Sequence, residues 1–366
     1  MALSKVNPNF VNGSQGGGNK NLIINGAMRI AQRATSSSAI GFQTVDRFRI
    51  GTNATDELAM TQAQVSDSPD GFSNSFKVTI TTPEAAFTTT EWFYTRYTVE
   101  AQDAQQLAYG TSSAKKTTLS FYVKSSITGN YAVLNFNGTS TRSQTLTYTI
   151  NAANTWERKT ITFDGDTTGS YPNSNAAGPD LYFTLSAGPD SRSSDGTSWG
   201  AYASAKAAFG QTANVGSTNG ATWQITGVQL EVGDTATDFE HRTFQDDLLL
   251  CQRYCHVIGD TQYQSLGVGT MYNATNSMFY VHTPVPMRST PSATKTVDGS
   301  SVWLQSYVGA SGLNSNPTPQ MGEQSPNGRQ NNFRIYVPGA NNSTTAGYST
   351  WNQVMPNATF ILASEL

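Results

Sequence analysis

Short runs of alternating polarity, set between strong turn signals, leave this chain few folds to choose from. FKVTI at Phe76–Ile80 alternates with period two, and FYTRYTV at Phe93–Val99 does so less cleanly. LSFYVKS places Leu119, Phe121 and Val123 on one face, and YAVLNFN does the same for Ala132, Leu134 and Phe136. LTYTI aligns Leu146, Tyr148 and Ile150, WERKTITF aligns Ile161 and Phe163, and LYFTL aligns Leu181, Phe183 and Leu185. Between the runs lie Asn25-Gly26, Thr128-Gly129-Asn130, Asn137-Gly138 and Asp164-Gly165-Asp166, residue types that suit tight turns. Successive side chains of a strand point to opposite faces, so this pattern predicts an all-β chain built as a two-sheet sandwich. Each strand is expected to bury one face and leave the other wet. Asp103–Tyr109 is the main local helix candidate.

The pattern changes at Trp223–Tyr254, WQITGVQLEVGDTATDFEHRTFQDDLLLCQRY. Trp223 and Ile225 share one parity, whereas Val228, Leu230 and Val232 share the other. A strand with one buried face must therefore slip register near Gly227, as a β-bulge does. Thr243, with Asp246 three residues on, reads as a helix N-cap. The helix that follows has two apolar stripes. Phe244, Leu248, Cys251 and Cys255 form one, and Leu250, Tyr254 and Val257 the other. An arc this wide calls for partners on two sides. One is the chain's own sandwich and the other is expected to be a second subunit, so Phe244, Leu248, Leu249, Cys251 and Tyr254 are the candidate oligomer-interface residues.

The division expected is a Gly/Asn-rich N-terminal arm at 1–20, a β-sandwich at 21–242, a linking helix at 243–257 and a smaller β-domain at 258–366. In the last region Asp298-Gly299 signals a hairpin, and 314–332 reads as a long loop. The loop at 188–220 is rich in Gly and Ser. It also holds Trp199, Tyr202 and Phe209, so it is expected to be partly packed down.

Charged residues make up 13% of the chain and the net charge is −3. Binding a nucleic-acid backbone needs a basic face, which this composition does not supply. No stretch approaches the roughly 20 apolar residues of a membrane span, and the first residues lack the apolar core of a secretory signal. The two cysteines, with no cluster of histidines to complete a zinc site, read as small buried apolar residues. His241, His256 and His282 lack metal-ligand spacing, and no HExxH, GxSxG or P-loop pattern occurs. No cofactor and no catalytic residue is expected.

Three stretches resemble a known family. NLIINGAMRIAQRATS with TVDRF is similar to the start of a recurrent jelly-roll module in tail-fibre and receptor-binding proteins of marine and cyanobacterial tailed phages. ITGVQLEVGDTATDFEHRTFQDDLLLCQRYC is similar to its end, although Cys255 stands where the family pattern has Tyr. TPVPMRSTPSAT and FILASEL resemble the β-domain that follows. The resemblance implies a jelly roll akin to carbohydrate-binding modules in a homotrimeric virion appendage, assembled in the host cytoplasm. The partners it implies are other tail or capsid proteins, reached through residues 1–20, and a host-surface polysaccharide or receptor. Sugar stacking would fall to exposed aromatic residues, with Trp92, Tyr94 and Trp199 as candidates. A purely structural decoration or adaptor protein is the first alternative, and a glycan-cleaving tail enzyme the second.

Overall fold

The computed structural model describes residues 20–258 except Ala54, then 264–271, 273, 275–297, 304–308, 311–315, 320–321, 331–337, 349–354 and 358–366. Residues 1–19 of the expected arm, the Asp298-Gly299 hairpin and most of the expected loop at 314–332 lie outside the described residues.

Twelve strands build the first domain. They are β1 (Ser36–Ser37), β2 (Arg49–Asn53), β3 (Ala59–Val65), β4 (Ser75–Thr82), β5 (Trp92–Glu100), β6 (Thr117–Ser125), β7 (Gly129–Phe136), β8 (Arg142–Ile150), β9 (Glu157–Phe163), β10 (Ala177–Ala187), β11 (Gly200–Ala201) and β12 (Thr222–Val232). They form two antiparallel sheets of six, ordered β1-β3-β4-β12-β6-β9 and β11-β8-β7-β10-β5-β2. This is the two-sheet sandwich that the alternating pattern implies, and the jelly roll that the resemblance implies. Its core takes Leu119, Phe121, Val123, Ile161 and Phe163 from the first sheet and Tyr131, Val133, Tyr148, Leu181, Phe183 and Leu185 from the second. Trp223 is fully buried between the sheets, and its indole N–H donates to the Tyr148 hydroxyl at 3.1 Å. A buried donor left unmet would be costly, so this bond fixes the ring.

Two sequence expectations change here. Ala132, Leu134 and Phe136 do share a face, but it is the outer one, while Tyr131 and Val133 point to the core. β7 is buried on both faces because the loop after β10 folds back over its sheet. The Ala132-Val133-Leu134 run is thus continuous rather than alternating, as strands covered on both sides are. The helix expected at 103–109 is a 3₁₀ helix at Ala101–Leu107, ended by Ala108 in the left-handed conformation.

The slip expected in β12 is present. Gly227 has φ +61°, and the register against β6 shifts between Thr226 and Gln229. The connector after β12 is bonded to the sandwich along its length. Thr237 N–H donates to Glu231, Glu240 N–H to Gln229, and Arg242 to the Ile23 carbonyl. The helix, α1 (Phe244–Gln252), is capped by Thr243, whose hydroxyl accepts from the Asp246 N–H. It is shorter than expected, because the chain from Cys255 re-enters a sheet.

That sheet is β16-β22-β13, formed by β13 (Cys255–Ile258), β16 (Ser292–Val297) and β22 (Ala358–Ala363). A second sheet of seven contains β14 (Ser265–Met271), β15 (Ser277–His282), β17 (Leu304–Val308), β18 (Ser311–Ser315), β19 (Gln320–Met321), β20 (Asn332–Val337) and β21 (Ser349–Val354). Its order is β18-β17-β21-β14-β15-β20-β19. The two share a smaller core around Phe279, Ile335, Phe360 and Leu362.

A buried ionic junction ties this domain to the sandwich. Arg47 pairs with Glu365 at 2.8 Å, donates to the Thr98 carbonyl at 2.6 Å and lies 3.5 Å over the Tyr254 ring. Arg33 pairs with the other Glu365 oxygen at 3.1 Å. Tyr254 donates its hydroxyl proton to Glu100, which also accepts from Arg253. Arg288 bridges the Ser364 and Asn175 carbonyls.

Candidate functional site

The outer face of the second sandwich sheet carries a separate, largely buried aromatic cluster, with Tyr94 and Tyr202 partly buried against it. β5 projects Trp92, Tyr94 and Arg96 there because its core-facing parity is taken by Phe93 and Tyr97. β10 adds Asp180 and Tyr182 by the same logic, and register places Tyr182 opposite Arg96. β2 supplies Gly51 opposite Tyr94. A Cβ on Gly51 would come within 2.5 Å of the Tyr94 ring, so only glycine lets that ring lie against the strand.

The rings are in contact. Trp92 stacks on Tyr182 with centroids 5.1 Å apart and planes at 18°. Tyr94 lies 4.4 Å from Trp92 and 4.8 Å from Tyr182. Phe136 extends the cluster to Tyr202, at 5.3 Å from Tyr182 and 4.6 Å from Tyr202. The Arg96 guanidinium lies 5.2 Å over the Tyr182 ring and grips Asp180 through Nε at 2.8 and 2.9 Å. Thr98 Oγ1 completes the carboxylate's partners at 2.8 Å.

The loop after β10 walls one side of the patch with Tyr202, Ala207 and Ala208. It is held by Tyr202 N–H donating to Thr141 O and by Thr145 Oγ1 donating to Lys206 O. Burial pushes the Asp180 carboxyl up, although Arg96 and Thr98 pull against it. Burial also opposes the Arg96 cation, yet its bonds to Asp180 raise it above the ordinary arginine value. Burial raises the Tyr94 phenol too, against the nearby Arg49 and Arg96. Asp180, itself buried, therefore holds the half-buried Arg96 guanidinium in place beside the aromatic cluster.

The candidate glycan residues thus divide. Trp92 and Tyr94 meet in one patch. Trp92 is 7% exposed, with its indole N–H on Thr184, so it backs the patch rather than lining its surface. Tyr94, Arg49, Arg96 and Tyr202 are the parts solvent reaches. Trp199 is elsewhere, edge-on to Tyr109 at 6.1 Å and donating to the Asp164 carbonyl at 2.7 Å. Sequence reasoning missed Tyr182, Phe136, Arg96 and Asp180. For Tyr182, Arg96 and Asp180 the available signal was their position on the off-core parity of strands whose other parity was already apolar, whereas Phe136 falls on the parity of β7 that alternation assigns to the core.

The candidate interface residues divide as well. Cys251 and Tyr254 are buried within the chain, Tyr254 under Arg47, so neither offers surface to another subunit. Both cysteines are buried free thiols. Leu248 and Leu249 are half-buried, and Phe244 is 54% exposed. Among the described residues no His, Cys, Asp and Glu group is arranged to hold a metal, and no helix is long and apolar enough to cross a membrane.

No protein-family model and no curated protein sequence matches the chain. Solved structures are similar to it at low levels. The enzymatically active domain of tailspike protein 4 of bacteriophage CBA120 matches with a TM-score of 0.33 and 12% identity, over 58% of this chain and 22% of that one. The family 11 carbohydrate-binding module of the cellulase Lic26A-Cel5E of Clostridium thermocellum matches with a TM-score of 0.27 and 14% identity, over 57% and 98%. The TmCBM61 module in complex with β-1,4-galactotriose matches with a TM-score of 0.25 and 8% identity, over 59% and 100%. Likeness at this level carries no conclusion about activity or ligand.

Proposed function

We infer that this chain is a non-catalytic glycan-binding protein of a phage tail appendage, engaging host-surface polysaccharide through the outer face of its sandwich. The observation that carries the reading is the contact of Tyr94 with Trp92 and Tyr182 beside the Arg96–Asp180 pair. A sugar ring has an apolar C–H face and a rim of hydroxyls. The half-buried Tyr94 ring, backed by Trp92 and Tyr182, takes the first, and the Arg96 guanidinium, fixed by Asp180, donates to the second. Glycoside hydrolysis needs two carboxyl groups flanking the bond. The carboxylate of this patch, Asp180, is occupied by Arg96 and Thr98, which favours binding over cleavage. The virion setting, the anchoring through residues 1–20 and the homotrimer rest on the sequence resemblance.

The test uses the full chain and purified host-surface polysaccharide in affinity gels. Tyr94→Ala and Arg96→Met should each weaken retardation about tenfold, the scale of one lost aromatic or charged contact. Trp199→Ala should leave it unchanged. Wild-type protein that runs unretarded in every such gel would sink the glycan role, and reducing ends released from the polysaccharide would replace it with an enzymatic one.

A further inference from the structure

In the seven-stranded sheet of the C-terminal domain, β14, β15 and β20 keep one face on the core and turn the other outward. Leu266, Phe279, Val281, Phe333 and Ile335 point inward. On the open face Val268 pairs directly with Trp351, and Tyr280 pairs with Arg334. Gly269 stands opposite Phe279, so the next position sets Val268 opposite Tyr280. One row of side chains therefore crosses four strands in the order Trp351, Val268, Tyr280, Arg334. Val268 is 69% exposed, Tyr280 48% and Trp351 47%, three of the five exposed large hydrophobic side chains among the described residues. Their concentration in one row is not what scattered surface residues show.

The row is organised. A bulge in β14 at Gly267, with φ +136°, shifts the register so that Ser265 pairs with Gln353, diagonal to Trp351. Bulges re-aim side chains in this way. The indole N–H donates to Ser265 Oγ at 2.9 Å, which sets the plane of the ring. Exposed Ser349 and Thr270 border the row on one side, and exposed His282 and Asn332 on the other. Met278 and Tyr336, beside Thr270, are half-buried.

We propose that this row is a flat platform for a linear polysaccharide with an extended, β-linked pyranose backbone. Trp351 and Tyr280 stand two strand spacings apart, roughly 9–10 Å. An extended β-linked chain turns each ring over relative to the last and repeats every second unit, a step of the same size. The two aromatic rings then meet alternate sugars, Val268 lies under the sugar between them, and Arg334 donates to a hydroxyl or carboxylate at the end of the row. Among the described residues, the large apolar side chains that stand exposed on this face are Trp351, Val268 and Tyr280, while Met278 and Tyr336 beside them are half-buried. Three such side chains fall far short of the ~800 Å² per partner of a stable protein interface. An open, flat row takes the middle of a chain rather than its end.

This platform is independent of the sandwich patch, and the two are separable by variants of the full-length protein. In native gels containing mixed-linkage β-glucan or carboxymethylcellulose, wild-type protein should be retarded, and in α-linked dextran it should not. Trp351→Ala and Tyr280→Ala should each weaken that retardation about tenfold. Trp351→Phe should recover part of it, and Tyr94→Ala should not affect it. Far-UV circular dichroism and thermal midpoints identify any variant that fails to fold, and Tyr280→Ala then carries the test alone. Absence of retardation in both β-linked gels, or retardation indifferent to both alanine substitutions, overturns the proposal. So does a fall in native mass on Trp351→Ala, which would make the row a contact between copies of this chain.

Discussion

Single residues set the energetics of the junction between the domains. Arg47 is buried with Glu365 as its ionic partner, Thr98 O as acceptor and Tyr254 beneath it. Removing one member of a buried pair costs about 3–5 kcal/mol when it leaves the other charge unpaired. Glu365 is shared by Arg47 and Arg33, so Glu365→Gln, which leaves both cations without their carboxylate, should lower the denaturation midpoint sharply, and adding Arg47→Met, which removes the more buried cation, should recover part of the loss in urea titrations. Asp46, nearby, accepts both the backbone and side-chain N–H of Gln32. Burial raises its carboxyl from 3.8 to about 6, with Glu365 adding to the rise and Gln32 and Arg33 opposing it. The folded state thus holds this proton where the unfolded state has lost it. Stability from this group is fully present below about pH 4 and falls as pH rises to about 6, by up to about 3 kcal/mol. Asp46→Asn removes that dependence. Relative to wild type, its destabilisation should be smaller at pH 7.5 than at pH 4, and chemical denaturation at the two pH values measures the difference.

At the scale of elements, β12 shows how one glycine sets a register. The bulge at Gly227 lets Trp223 and Ile225 share the core with Val228 and Leu230, although the two pairs differ in parity. A Cβ at Gly227 would lie 2.7 Å from the Phe72 ring, on a backbone that disfavours side chains. Gly227→Val should cost about 1–3 kcal/mol, within the range for strain at a special backbone position, read as a lowered thermal midpoint. The helix α1 shows what periodicity misses. Its two stripes indicate an apolar surface, but Cys251 is spent on the chain's own interior while Phe244 stays exposed. Which part of each stripe is covered depends on where the sandwich and β22 sit, and those contacts come from residues more than 100 positions away.

At the scale of the molecule, two β-domains are joined by buried ionic and aromatic contacts rather than by a free hinge. Assembly into a trimer is testable on the surface left over. Light scattering at micromolar concentration should give three times the mass of one chain. Phe244→Asp should lower that mass without unfolding the protein, because its side chain already stands in water. A single-chain mass for the wild type would rule out the trimer.

The all-β class, the inward faces of β6, β9, β10 and β12, the bulge and the helix cap were all legible in the sequence. Each follows from local rules: side-chain alternation along a strand, glycine's freedom at positive φ, and a hydroxyl satisfying an exposed N–H. The covering of β7 on both faces, the gathering of Tyr182 and Arg96 beside Tyr94, and the pairing of Arg47 with Glu365 were not. Those depend on which strands become neighbours and on where a loop folds back. Such long-range packing leaves no periodic trace along the chain, so only the tertiary structure decided which aromatic residues form a surface and which fill a core.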